Sequence, residues 1–172
     1  NFLLLLAYML PIALFGQNNV PFDIAMDHLK KQAIIWQIDP ADYEGSMISS
    51  EATNQDITYL YLNQAYKGIP VRNAMAVIVI KNGVVVSDNQ NYVQHIEKKI
   101  NASAYKVGAD VAIVNAAQEL GITLKSRPVL TNRSNEGKWS FEMPELTKTP
   151  IQAELKYELV DGNLILVWNL SM

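Results

Sequence analysis

His28 and His95 are the only imidazoles in a chain of 172 residues that contains no cysteine. These are the side chains from which a zinc site or an acid–base catalyst is most often built. Neither histidine stands in an H-x-x-x-H or H-E-x-x-H spacing, which would set two imidazoles on one helical face around a metal. His28 precedes apolar Leu29 in an amphipathic stretch and reads as a boundary side chain; His95, before Ile96 and Glu97, reads the same way. Absence of cysteine removes thiolate nucleophiles, disulfides and zinc–thiolate sites together. A glycosidase needs two carboxyl groups roughly 5–10 Å apart across a cleft. Asp39 and Asp42 are instead explained by capping of a short turn at Pro40, and Glu142 and Glu145 flank Met143-Pro144 in an expected loop. There is no G-x-S-x-G elbow and no glycine-rich phosphate loop. Tyr59, Tyr61 and Tyr66 could imitate a base-stacking platform, but no basic residues interleave with them, so they read as sheet-face packing. With a formal net charge of −3 and no basic cluster, nucleic acid is not an expected partner. Asn101, Asn132 and Asn169 each open a glycosylation sequon, a short pattern that recurs by chance. The residues that could do chemistry point to a non-catalytic segment without a cofactor of its own.

The elements that would position these residues are easier to read. The apolar run from Phe2 to Phe15 is followed by Gly16 and polar residues. It is shorter than the roughly 20 residues a membrane span needs, and Pro11 falls inside it. A signal peptide over residues 1–16 is therefore expected, cleaved after Gly16, and with it export and no stable membrane association afterwards. "PFDIAMDHLKKQAIIW" has Ala25, Met26, Leu29, Ala33 and Trp36 at helical spacing, with Asp23 as its expected N-cap. "EGSMISSEATNQD" reads as a loop. "DITYLYLNQAY" alternates, with Ile57, Tyr59 and Tyr61 on one face and Leu60 and Leu62 on the other. Gly68 and Pro70 announce a turn or bulge, "VRNAMAVIVI" a central strand, and Asn82-Gly83 a hairpin. Residues 91–106 read as a strand end and linker. A second helix over "VAIVNAAQEL" is expected to be capped by Asp110 and ended by Gly121, with Ala112, Ala116 and Leu120 as its stripe and Ile113 extending it. A loop should follow from Ser126, then a final hairpin turning at Asp161-Gly162. The expectation is an α+β fold of two consecutive small units, each a helix packed on an antiparallel β-meander. The units span residues 21–100 and 108–172, and the second is expected to be incomplete at Met172.

The order of these features resembles the propeptide module of fungalysin- and thermolysin-type metallopeptidases, the FTP domain. An aromatic strand ends in Gln, a Gly-Ile-Pro-Val turn follows, then an apolar strand and an Asn-Gly hairpin. Tyr61, Gln64, Gly68, Ile69, Pro70, Val71, Asn82 and Gly83 carry the match. "DVAIVNAAQELGI" is similar to the first helix of a PepSY domain, which follows FTP modules in these precursors. "ELKYELVDGNLILVWNLS" is similar to the closing hairpin of propeptides of the M36 family, through Leu155, Tyr157, Asp161, Gly162, Leu166 and Trp168.

The resemblance implies a secreted, non-catalytic pro-region that assists folding of a zinc metallopeptidase domain in cis and inhibits it until removed. Zinc is then expected in a protease domain encoded downstream, because no H-E-x-x-H occurs in these residues. No catalytic residue is carried over by the matched positions. Two alternatives share the sequence features: a stand-alone secreted inhibitor or binding module acting in trans, and an envelope-anchored module that retains its apolar N-terminus.

Overall fold

The computed structural model describes residues 20–134 and 137–172. The expected signal peptide, with its cleavage after Gly16, lies outside the described residues. Among the described residues there are four helices: α1 (Val20–Trp36), α2 (Pro40–Tyr43), α3 (Ile96–Lys99) and α4 (Ala109–Glu119). The strands are β1 (Met47–Asn54), β2 (Ile57–Tyr66), β3 (Ile69–Lys81), β4 (Val84–Gln90), β5 (Val129–Arg133), β6 (Lys138–Glu142), β7 (Ile151–Val160) and β8 (Asn163–Ser171). They form one eight-stranded sheet in the order β1-β2-β3-β7-β6-β5, with β4 also paired to β3 and β8 to β7. Pairing is antiparallel except for the contact of β3 with β7. The fold is thus α+β, as expected.

Both meanders belong to the same sheet, and β3 is where they meet. Along β2 and β3 the register passes from Asn63 opposite Met75 to Ala65 opposite Pro70, so Val71 to Ala74 swing away from β2. Asn73 takes a left-handed φ of 58° within this bulge. The side chain of Asn91 completes the broken ladder: its Oδ1 accepts the Met75 N–H at 2.7 Å, and its Nδ2 donates to the Asn73 carbonyl at 2.7 Å. A bulge of this kind re-aims a strand. Here it turns Val71 toward Tyr157, the one pair through which β3 and β7 are in register. A buried cluster of Val71, Ala74, Ile96, Tyr157 and Leu164 fills the joint.

The helices share one face of the sheet. Ala25, Leu29 and Ala33 of α1 pack on Leu60, Leu62, Ala76, Ile78 and Ile80. Ala109 and Ile113 of α4 pack on Phe141, Ile151 and Ala153. Each large aliphatic side chain buried this way contributes roughly 1.5–3 kcal/mol. The apolar stripe of α4 is Ala109, Ile113 and Ala117, while Leu120 is 69% exposed, so the predicted Ala112–Ala116–Leu120 stripe is corrected by one position. The helix rotates to seat its largest inward side chain, Ile113, between two alanines that let it approach the strands. Gly121, at φ 74°, ends α4 as expected: its N–H donates to the Gln118 carbonyl and that of Ile122 to the Ala117 carbonyl.

Other boundaries also move. α1 begins at Val20, which places Asp23 in its first turn rather than at the cap. Gly108 is the N-cap of α4, and Asp110 lies in the first turn. The segment read as a loop before Asp56 contains β1, and the one read as a loop after Ser126 contains β5 and β6. β1 and β5 are edge strands with every residue exposed, so neither needs the apolar alternation that marks a half-buried strand. The presumed linker contains α3 and a bridge from Ile100 to Leu164.

Three two-residue turns, Lys67-Gly68, Asn82-Gly83 and Asp161-Gly162, hold both central residues at positive φ. That twist matches the right-handed strands on either side, as in type I′ hairpins. A Cβ at Gly68 would meet nothing within 4 Å, so only backbone conformation resists substitution there. Gly68→Val is expected to cost about 1–2 kcal/mol in chemical denaturation. An unchanged unfolding midpoint would show that the turn relaxes to another type.

Candidate functional site

The densest polar cluster forms where α2, β2 and the segment leading into α3 converge. Asp39 and Pro40 start α2, and the single turn brings Asp42 back over its own N-terminus. Asp42 is 1% exposed. Its Oδ2 accepts the N–H groups of Asp39 at 2.8 Å and His95 at 2.9 Å, and its Oδ1 accepts that of Ile96 at 2.7 Å. Gln64, also fully buried, donates from Nε2 to the carbonyls of Asp42 and Val93 and accepts the Val93 N–H at Oε1. Every polar atom in this knot has a partner on the main chain. A buried amide or carboxylate is tolerable only on those terms.

His95 completes the cluster from the surface. Its main chain is left-handed, at φ 55°, held by the bond to Asp42, and its Nδ1 lies 2.7 Å from Asp39 Oδ2. Asp39, Asp42 and His95 offer ligand atoms within 4.8 Å of one another. A cation at this point would have to displace backbone N–H groups from Asp42, whose oxygens already accept three. The geometry is that of a carboxylate fastening three chain segments. His28, the other histidine, reaches Asp88 Oδ2 with Nε2 at 2.7 Å and meets the edge of Trp36, pinning α1 to β4.

Beside the knot, Tyr92 and Ser46 share a buried hydroxyl–hydroxyl bond of 2.7 Å. Burial pushes the Tyr92 phenol up from 10.0 to about 12, and the Ser46 bond opposes this in part. The folded chain therefore holds a proton that the unfolded chain releases near pH 10. Stability from this group is complete below pH 10 and is lost as pH rises toward 12, by about 3 kcal/mol in total. Spectrophotometric titration should find one tyrosine ionising near pH 12, and Tyr92→Phe should remove that step.

A second cluster covers the far half of the sheet. The rings of Trp139 and Trp168 lie 5.0 Å apart, with Tyr105 5.9 Å and 5.2 Å from them. Arg133 sits 4.3 Å over Trp139, and Trp168 Nε1 donates to the Val107 carbonyl at 2.7 Å. Residues 101–107 are thereby strapped across β7 and β8. Glu142 ends β6 rather than lying in a loop. Glu145 fastens the turn after α4, accepting from Lys125 N–H and Ser126 Oγ, and these bonds hold its carboxyl below the usual range.

No protein-family model matches the chain, and no curated protein matches it. The residues that carry the resemblance to FTP and PepSY modules are placed as follows. Gln64 is the buried amide of the knot; Gly68, Asn82, Gly83, Asp161 and Gly162 form turns; Trp168 anchors the strap. Ile69, Pro70 and Val71 begin β3, where Pro70 lies opposite Ala65 and Val71 enters the joint. Tyr61 faces away from the helices. The structure brings Gln64, Ile69 and Val71 into one region and leaves Trp168 in the other half. Tyr92, Tyr105 and Trp139 have structural roles that sequence reasoning missed. The capping role expected of Asp42 holds, through the Asp-Pro-x-Asp spacing, but its burial and its bonds to His95 and Ile96 were not read.

One surface is not occupied by such contacts. Opposite α1, the sheet presents Met47 of β1, Tyr59 and Tyr61 of β2, and Met75, Val77 and Val79 of β3. Register fixes the group: Tyr59 pairs with Val79, Tyr61 with Val77, and Asn63 with Met75. Met47 is 41% and Tyr59 37% exposed; the others are half-buried, and none is charged. Among the described residues no helix lies on this face, and none is long and apolar enough to cross a membrane.

Proposed function

We propose that the chain is the non-catalytic pro-region of a secreted zinc metallopeptidase, acting in cis as folding assistant and inhibitor of a protease domain encoded downstream. In this reading it is built from an FTP-like unit followed by a PepSY-like unit, each a helix on a meander. The observation that supports it best is the part played by the motif residues. Gln64, the three glycine turns and Trp168 all serve to hold the sheet. An inhibitor that works by covering a cleft requires a fixed shape, and no nucleophile or metal of its own.

Two experiments test the reading. Sequencing the gene beyond Met172 is expected to reveal an H-E-x-x-H helix within the next several hundred residues. The purified chain is expected to block casein cleavage by that domain while cleaving nothing itself. Chelator-sensitive proteolysis by the chain alone would refute the proposal. A stop codon soon after Met172 would favour a stand-alone inhibitor acting in trans.

A further inference from the structure

We propose that the peptide bond between Asp39 and Pro40 is a self-cleavage site, at which the Asp39 side chain attacks its own main-chain carbonyl. The groups such a cleavage needs meet at this bond. The nucleophile is the Asp39 carboxylate, which can close a small ring on the carbonyl carbon of the same residue. The carbonyl oxygen accepts the Asp42 N–H at 2.9 Å, a donor placed to hold the oxyanion that forms there. The leaving nitrogen is that of a proline, a tertiary amide whose departure frees a basic secondary amine. A proton donor stands beside the nucleophile: His95 Nδ1 lies 2.7 Å from Asp39 Oδ2. Asp39 and Pro40 are both exposed, so water reaches the product of the first step.

The steps balance with water as the co-reactant. A carboxylate oxygen of Asp39 bonds to the Asp39 carbonyl carbon, and the bond to Pro40 breaks with its electron pair on nitrogen. That nitrogen takes the proton of the His95 imidazolium, which leaves a cyclic anhydride on Asp39. Water opens the anhydride to carboxylates at a new C-terminus and returns a proton to His95; the second fragment starts at Pro40. Asp39, Asp42 and His95 are the titratable groups that meet here. Asp42 is a positioning residue: its oxygens hold the amides of Asp39 and His95, and so fix nucleophile and proton donor relative to each other. The reaction acts once, on its own chain and on no other substrate, whether or not a protease domain follows. Its consequence falls on α1, which lies wholly before the cut and covers Leu60, Leu62 and Ile78. Once untethered, α1 is held only by non-covalent contacts such as that of His28 with Asp88.

The test follows the purified chain by mass spectrometry at about pH 5, where imidazole is charged, with chelator and protease inhibitors present. A fragment ending at Asp39 and one beginning at Pro40 are expected, at least about tenfold faster than from the chain unfolded in urea at the same pH. Asp39→Ala should abolish the cut. His95→Asn, which suits the left-handed backbone but donates no acidic proton, should slow it about 100-fold. Hydroxylamine added during the reaction should capture the anhydride as a hydroxamate on Asp39. Should His95→Asn fail to fold, Pro40→Ala is the second variant; its poorer leaving group should slow the cut about tenfold. No cut in the folded chain, a cut no faster than in the unfolded chain, or cleavage of Asp39→Ala at the same bond would each overturn the proposal. A folded His95→Asn chain that cleaves at the wild-type rate would overturn the mechanism.

Discussion

Asp42→Asn is expected to lower stability by about 3–4 kcal/mol, as measured by urea unfolding. The carboxylate accepts three main-chain N–H groups from Asp39, His95 and Ile96. An asparagine has one carbonyl oxygen, so its NH₂ must face at least one of these donors in a site closed to water. The bonds that survive also lose their charge assistance. Because Asp42 ties α2 to the start of α3, the loss should be local as well as global. Hydrogen exchange at the Ile96 amide should accelerate more than exchange in β2. A change below 1 kcal/mol would mean that water reaches these amides.

Gly45→Ala should be comparably damaging, for a different reason. A Cβ at Gly45 would fall inside contact distance of the Ala65 carbonyl oxygen, a backbone atom of β2 that cannot rotate aside. The turn from α2 into β1 would have to lift off the sheet, close to Ser46 and its bond to Tyr92. A cost of about 2–4 kcal/mol is expected, read as a shift in the thermal or denaturant midpoint. Gly83→Ala is the control. No atom lies within 4 Å of its added Cβ, so only the left-handed backbone opposes it, at about 1–2 kcal/mol. Equal losses at the two positions would exclude a steric cause at Gly45.

The parts of the fold legible in the sequence are those encoded locally. Helical spacing located α1, alternation separated Leu60 and Leu62 from Tyr59 and Tyr61, and Asn82-Gly83 and Asp161-Gly162 marked hairpins. β1 and β5 went unread because an edge strand exposed on both faces carries no hydrophobic period, and MISSEATN is as polar as a loop. The stripe of α4 was offset because Ala112, Ala116 and Ala117 are nearly equivalent by type, and only contact with the sheet chooses among them. Least legible was the polar knot. Asp42 and Gln64 become important through Val93, His95 and Ile96, residues far from them in the chain. Spacing alone could suggest that Asp42 caps a turn, but not that it sits buried under three segments.

The bulge at Asn73 has a consequence for the order in which the molecule assembles. All pairings among β1, β2, β3 and β4 join strands that follow one another, so they close over short loops. The pairing of Val71 with Tyr157 must wait for a chain segment made much later, and its loop-closure entropy is correspondingly greater. During synthesis the first meander can settle as soon as β4 has emerged, with Asn91 holding the kink in β3 open. The kink is then a finished socket when β7 arrives. The second half is templated on the first, and slow steps in refolding should report docking of β7 and β8 rather than formation of the early hairpins.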